Sequence, residues 1–134
     1  MTFLNGLGIA GGIIIVTVIA LYLYKSSQNT PGYEIDTIET MEFSLDDFKQ
    51  WNAKNNPNNK DKVCIITADA MNKAHKFAAV MKNYHFPEGS NFIVLGIIDV
   101  NDNVKKVCVV VYDYLSDTLK SLLDEGDGVV ILEE

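Results

Sequence analysis

LGIAGGIIIVTVIALYLY, from Leu7 to Tyr24, is eighteen residues without a charge. Whether this stretch faces lipid or a protein interior decides the architecture of everything that follows it. As an α-helix it spans about 27 Å at 1.5 Å per residue, enough to cross the hydrocarbon core of a bilayer. A helix buried in a soluble core usually keeps a polar stripe, whereas Ile13 to Ile19 offers only the hydroxyl of Thr17, which can bond back to its own helix. The expectation is therefore a single transmembrane helix within residues 1–24. Tyr22, Tyr24 and Lys25 suit the headgroup level, where aromatic rings and snorkelling lysines collect. A cleaved signal peptide fits less well: no Lys or Arg precedes the apolar run, and Leu21-Tyr22-Leu23-Tyr24 is bulky where a peptidase needs small residues. An uncleaved anchor is expected.

Gly8 and Gly12 stand four apart in the first half of this helix, the spacing that lets two helix backbones approach closely. They are the candidate helix-packing residues, for self-association or for docking on a larger membrane complex. Lys25 is the only basic side chain close to either end, which leans the soluble part towards the cytoplasmic side. Twelve asparagines without one Asn-x-Ser/Thr acceptor, and two cysteines set in apolar runs, lean the same way.

The whole chain of 134 residues is acidic, with eighteen Asp and Glu against eleven lysines, no arginine, and a net charge of -7. A nucleic-acid groove would lack both its positive field and its bidentate reader, so nucleic acid is set aside as a partner. Residues 25–32, KSSQNTPG, read as a short polar linker with Pro31-Gly32 as a turn signal, and residues 33–134 as one soluble domain.

Within that domain the spacing predicts a strand over 34–43. A helix follows, capped by Ser44, with Asp46 and Asp47 in its first turn and Leu45, Phe48 and Trp51 inward. Val63 to Ile66 is a short strand. A second amphipathic helix, capped by Thr67 or Asp69, should run to about Tyr84 with Ala70, Ala74, Phe77, Ala78 and Met81 on its inner face. Phe92–Ile98 and Val104–Tyr112 are strands joined by a hairpin at Asp99–Asn103, and both are apolar enough to be covered on two faces. A third helix, capped by Ser116 or Asp117 and stopped by Gly126, leads to a last strand over Val129–Leu132. The order βαβαββαβ is an α/β (α+β) class pattern, expected to form a small mixed-sheet, two-layer sandwich. From residue 62 it resembles the split βαββαβ arrangement of ferredoxin-like folds. The full order also resembles a thioredoxin-like topology, in which the redox cysteines would fall at the start of the second helix. Met71-Asn72-Lys73-Ala74 stands there, so such a module would be redox-inactive.

Candidate chemistry is sparse. Asp99-x-Asn101-x-Asn103 copies the opening of a calcium loop, but Val104 replaces the required glycine and Val110 falls where the bidentate glutamate should be, so it reads as a turn. Cys64 and Cys108 read as buried thiols; a ferredoxin-like sheet would set their strands side by side and allow a disulfide. His75 and His85 have no ligand-spaced partner. Acids gather late, at Asp113, Asp117, Asp124, Glu125, Asp127, Glu133 and Glu134, while Lys73, Lys76 and Lys82 share the second helix; both sets read as solvated faces. No cofactor or metal is expected, and no catalytic residue is assigned. The function expected is non-enzymatic: a membrane-anchored interaction domain, accessory or assembly subunit of a membrane-associated complex, whose partners are the bilayer and a protein reached through the helix. The alternative is an anchored enzyme with a dispersed acidic site at Asp69, Asp99 and Asp113, near strand ends. If Gly8 and Gly12 form a pairing face, Gly8→Ile with Gly12→Ile should abolish association in a membrane two-hybrid assay, and unchanged association would remove that face.

Overall fold

The structure is a computed structural model that describes residues 2–5, 8–58, 60–72 and 91–133, with side chains described from Ile15 onward. The elements run β1 (Thr2–Asn5), α1 (Gly8–Ser27), β2 (Ile35–Phe43), α2 (Leu45–Asn55), β3 (Lys62–Thr67), α3 (Ala68–Asn72), β4 (Asn91–Ile98), β5 (Val104–Leu115), α4 (Asp117–Glu125) and β6 (Val129–Glu133). They build one mixed sheet in the order β1-β6-β3-β4-β5-β2, in which five strands form the body and short β1 extends one edge. β2 runs parallel to β5, and every other neighbouring pair is antiparallel.

Local chemistry explains the element ends. Ser44 and Asp47 form a reciprocal capping box on α2: the Asp47 N–H donates to Ser44 Oγ at 3.1 Å, and the Ser44 N–H donates to Asp47 Oδ2 at 2.9 Å. Thr67 caps α3 by accepting from the Ala70 N–H at 3.2 Å, and Ser116 caps α4 by accepting from the Leu119 N–H at 3.4 Å. Two helices stop in the same way. At the end of α1, the Thr30 N–H donates to the Lys25 carbonyl and the Asn29 N–H to that of Ser26, with Asn29 left-handed at φ 57°. At the end of α4, the Gly128 N–H donates to Leu123 and the Asp127 N–H to Asp124, with Asp127 at φ 55°. Both are Schellman endings; Gly126, the expected stop, is the C-cap of α4, and the left-handed conformation begins at Asp127.

Of residues 25–32, Lys25–Ser27 form the end of α1 and the remainder is a hydrogen-bonded turn at the expected Pro31-Gly32. The Tyr33 N–H donates to the Thr30 carbonyl across Pro31-Gly32, with Gly32 at φ 88°, and the chain is folded back. Tyr22 donates to the Glu34 carbonyl at 2.9 Å, its ring lies 5.1 Å from that of Tyr33, and Lys25 donates to the Tyr33 hydroxyl at 3.1 Å. The Tyr22 and Lys25 that resemble headgroup markers therefore tie α1 to the start of β2.

Alternation along the strands divides the core into two halves. Cys64, Ile66, Val94, Val107, Val109 and Ile131 face α1 and α3, whereas Val63, Ile65, Ile93, Leu95, Val110 and Leu132 face α2 and α4. The sheet is covered on both faces, in place of the two layers expected. The difference comes from α1. Its Ile15, Val16, Ile19, Ala20, Tyr22 and Leu23 are buried in the same cluster as the sheet residues. Full burial of an Ile, Leu or Val side chain stabilises by about 1.5–3 kcal/mol, so this stripe is a substantial part of the core. Close approach is made possible by Gly96, where an added Cβ would lie 2.5 Å from Ile19 Cδ1 and 3.2 Å from Cys64 Sγ. Among the described residues no helix is long and apolar enough to cross a membrane, so the expected transmembrane helix is not supported. Gly8 and Gly12 precede the described side chains, and their pairing face lies outside what is described.

The strand order also departs from the ferredoxin-like expectation. β4 lies between β3 and β5 and pairs antiparallel with each. β4 is buried at every position from Phe92 to Ile98, and a central place pairs both of its edges while helices cover both of its faces. An edge place would leave this apolar strand open on one side. Of the second helix only Ala68–Asn72 is described, and positions 73–90, with His75, His85, Lys73, Lys76 and Lys82, lie outside the described residues.

If α1 is seated as described, Gly96→Val should destabilise the full chain by about 1–3 kcal/mol through overpacking. Ile19→Ala should cost about 2–5 kcal/mol. The double variant should be less unstable than the sum, because the second change makes room for the first. Urea titrations that add independently would place Ile19 away from Gly96.

Candidate functional site

The three acids of the alternative enzymatic reading do not converge. Thr67 pairs with Ile93 and Lys62 with Ile98, so Asp69, just past Thr67, and Asp99, just past Ile98, sit at opposite ends of the sheet. Asp113 lies at the Asp69 end, one residue beyond the Asn91–Tyr112 pair, with its side chain exposed. Burial first, and then the nearby Asp69 charge, push the Tyr112 phenol above its ordinary value. Asp69 and Asp113 thus share an end, and Asp99 is separated from them by the length of the strands.

Asp99 instead builds the hairpin. Its Oδ1 accepts the N–H groups of Asn101 and Asn103, each at 2.9 Å, its own N–H donates to the Asn103 carbonyl at 2.9 Å, and its carbonyl accepts from Asp102 at 3.0 Å. Asp102 takes the left-handed conformation at φ 63°, the three-residue hairpin pattern of a turn followed by a bulge. The alternating oxygens that copy a calcium loop therefore serve a turn, whose carboxylate is already engaged by backbone. Among the described residues no group of three or more His, Cys, Asp or Glu could hold a metal ion.

Both cysteines are free and buried. Cys64 faces α1 and Cys108 faces the opposite half of the core, with β4 between their strands. The disulfide that a ferredoxin-like order would allow has no geometry here. Burial pushes each thiol up to about 12, so neither is a thiolate nucleophile near neutrality. The buried amides Asn52 and Asn56 are structural: the Asn56 side chain donates to Asn52 Oδ1 at 3.2 Å and to the Asp61 carbonyl at 3.0 Å, closing the loop after α2.

What the structure offers outward is surface. The solvent side of α1 carries Thr17, Leu21 and Tyr24 with no charge before Lys25, and Leu21 is 45% exposed. At the far edge of the sheet, β2 presents Asp36, Thr37, Glu39, Met41 and Glu42 to water. β2 and β5 continue together to Phe43 and Leu115, whereas β4 begins opposite Tyr112, so their ends project as a two-stranded ribbon. Met41 and Tyr114 on this ribbon are 66% and 52% exposed. In the sequence Met41 counts only towards the apolar alternation of the strand over 34–43 and Tyr114 is not marked at all, because an isolated Met or Tyr in a strand carries no sign of which strand will lie at the edge. Three lysines are spent near the opposite end, in pairs of Lys62 with Asp102, Lys105 with Asp61 and Lys106 with Asp36 at 3.4, 2.9 and 3.1 Å. Such exposed pairs contribute little to stability.

No protein-family model, no curated protein and no solved structure matches the chain.

The hairpin role of Asp99 has a pH signature. Backbone donation from Asn103, the leading cause, and from Asn101 lowers its carboxyl below the ordinary aspartate value of 3.8. The stabilisation it gives is complete above that ordinary value and fades as pH falls through the lower folded value. Asp99→Ala should therefore lower Tm at pH 7, with the gap to the unsubstituted chain narrowing below pH 3.8. A gap of constant size in thermal melts across that range would remove the carboxylate from the turn.

Proposed function

We propose that the protein is a non-enzymatic α/β interaction domain, an accessory or assembly subunit of a membrane-associated complex, with α1 as its attachment to the bilayer. The observation that carries this reading is the uncharged outer side of α1. A helix lying on the surface of a water-soluble domain normally turns charged side chains outward. Here Thr17, Leu21 and Tyr24 face out, and the first charge is Lys25. Lys25 and Tyr24 suit a headgroup boundary at the helix end.

Two modes of attachment are consistent with that side. In the peripheral mode α1 keeps Ile19 over Gly96 and lays its outer side against lipid. In the single-pass mode the helix leaves the sheet and exposes Cys64, Ile66, Val94, Val107, Val109 and Ile131, which a partner subunit must then cover. The acidic enzyme reading loses its support with the separation of Asp99 from Asp69 and Asp113.

Flotation of the purified full chain with phosphatidylcholine–phosphatidylglycerol vesicles, followed by alkaline carbonate washing, tests the reading. Vesicle binding that carbonate reverses supports the peripheral mode, and binding that survives it supports the single-pass mode. Leu21→Lys should weaken binding at least tenfold while shifting folding stability by no more than about 0.5 kcal/mol, because the position is exposed. A chain that stays in the aqueous fraction without detergent overturns the proposal.

A further inference from the structure

The free edge of β2 carries an inference that does not depend on the bilayer. β2 is nine residues long, and among the described residues it is the last strand of the sheet, with β5 as its one strand partner. A terminal strand leaves one row of backbone N–H and C=O groups without a ladder partner, a template for another strand. Long exposed edges are usually blunted by a proline, a bulge or an inward charge. From Ile35 to Phe43 there is no proline, and the register with β5 runs without a shift.

The charge of this edge is of one sign. Glu34, Asp36, Glu39 and Glu42 line it with no lysine between them, and only Asp36 has an ion-pair partner among the described residues, Lys106. That sign selects the occupant. If a second copy added its own β2 antiparallel and centred on Glu39, Glu39 would meet Glu39 and Asp36 would meet Glu42, and like charges directly opposite are destabilising. A lysine- or arginine-bearing strand meets the same positions with attraction. The protruding ribbon adds one apolar side chain on each face, because Tyr114 pairs with Glu42 and Met41, next to Glu42 in the strand, points to the opposite face.

We propose that the β2 edge binds an extended, basic segment of a partner protein, which adds to the sheet as a seventh strand. Main-chain hydrogen bonds to β2 supply affinity, Glu39 on one face and Asp36 and Glu42 on the other select cationic side chains, and exposed Met41 receives an apolar one on the face of Glu39. The acids also keep two copies of the chain from joining through this edge.

The probe is an octapeptide of valine with lysine at every third position, the spacing of Asp36, Glu39 and Glu42, together with a glutamate–valine counterpart and a lysine–valine version interrupted by proline. Amide hydrogen exchange of the full chain is followed by NMR. The lysine–valine peptide should slow exchange at β2 amides, and both control peptides should not. Binding should weaken at least tenfold in Glu39→Lys with Glu42→Lys, and should weaken again when salt rises from 50 to about 500 mM, as screening requires. Absence of β2 protection at millimolar peptide, or protection that survives the charge reversal, overturns the proposal. A concentration-dependent dimer in sedimentation, with β2 amides protected in the absence of peptide, overturns it in favour of a second copy. Leu21→Lys serves as the folded control: it should bind the peptide normally, so failure at the β2 edge and failure of membrane attachment are read separately.

Discussion

The seating of Ile19 over Gly96 is the contact on which the rest of the molecule depends. A strand residue without a Cβ leaves a depression in the middle of β4, and the fully buried Ile19 fills it beside Cys64. With α1 held there, the central part of one face of the sheet, from Ile131 and Cys64 to Val94 and Val109, is removed from water. This explains why β3 and β4 are apolar on consecutive residues: Cys64 and Ile66 need cover from α1, while Val63 and Ile65 receive it from α2 and α4. The turn after α1 reinforces the seat, since its Schellman ending and the Tyr22–Glu34 hydrogen bond fix where β2 begins.

That arrangement places the apolar helix in a competition between two solvents. Side chains that cover the sheet cannot at the same time face lipid, so inner and outer sides of α1 have to be considered apart. The inner side contributes to the fold, and the outer side, with Thr17, Leu21 and Tyr24 exposed, carries no charge before Lys25. Function in this chain is accordingly sought at surfaces. Polar and reactive groups among the described residues are committed elsewhere: the partly exposed Asp99 to a turn, the buried thiols to the two halves of the core, and the buried Asn52 and Asn56 to a loop.

The two ends of the sheet differ in electrostatic character for a simple reason of placement. Lys62, Lys105 and Lys106 lie near the hairpin and are paired there, which leaves the projecting ends of β2 and β5 without a basic residue. A strand edge with one sign of charge disfavours pairing with its own copy and favours a strand of the opposite sign.

Much of the local structure was legible in the amino-acid order because its causes are local. Ser44 with Asp47, Ser116 before its helix, Asp99 with its turn and the Pro31-Gly32 bend all act within a few residues, and each element forms where its own chemistry permits. Strand order, the face that α1 covers, and the separation of Asp99 from Asp69 and Asp113 are different in kind. They are set by contacts between residues tens of positions apart, such as Ile19 with Gly96 or Ile35 with Val107, and hydropathy alone cannot say whether an apolar residue meets a lipid tail or a valine. Hydropathy marks the stretch from Leu7 to Tyr24 as one that tends to leave water; only packing against the sheet decided that Ile15, Val16, Ile19, Ala20 and Leu23 do so against strands while Leu21 and Tyr24 stay exposed.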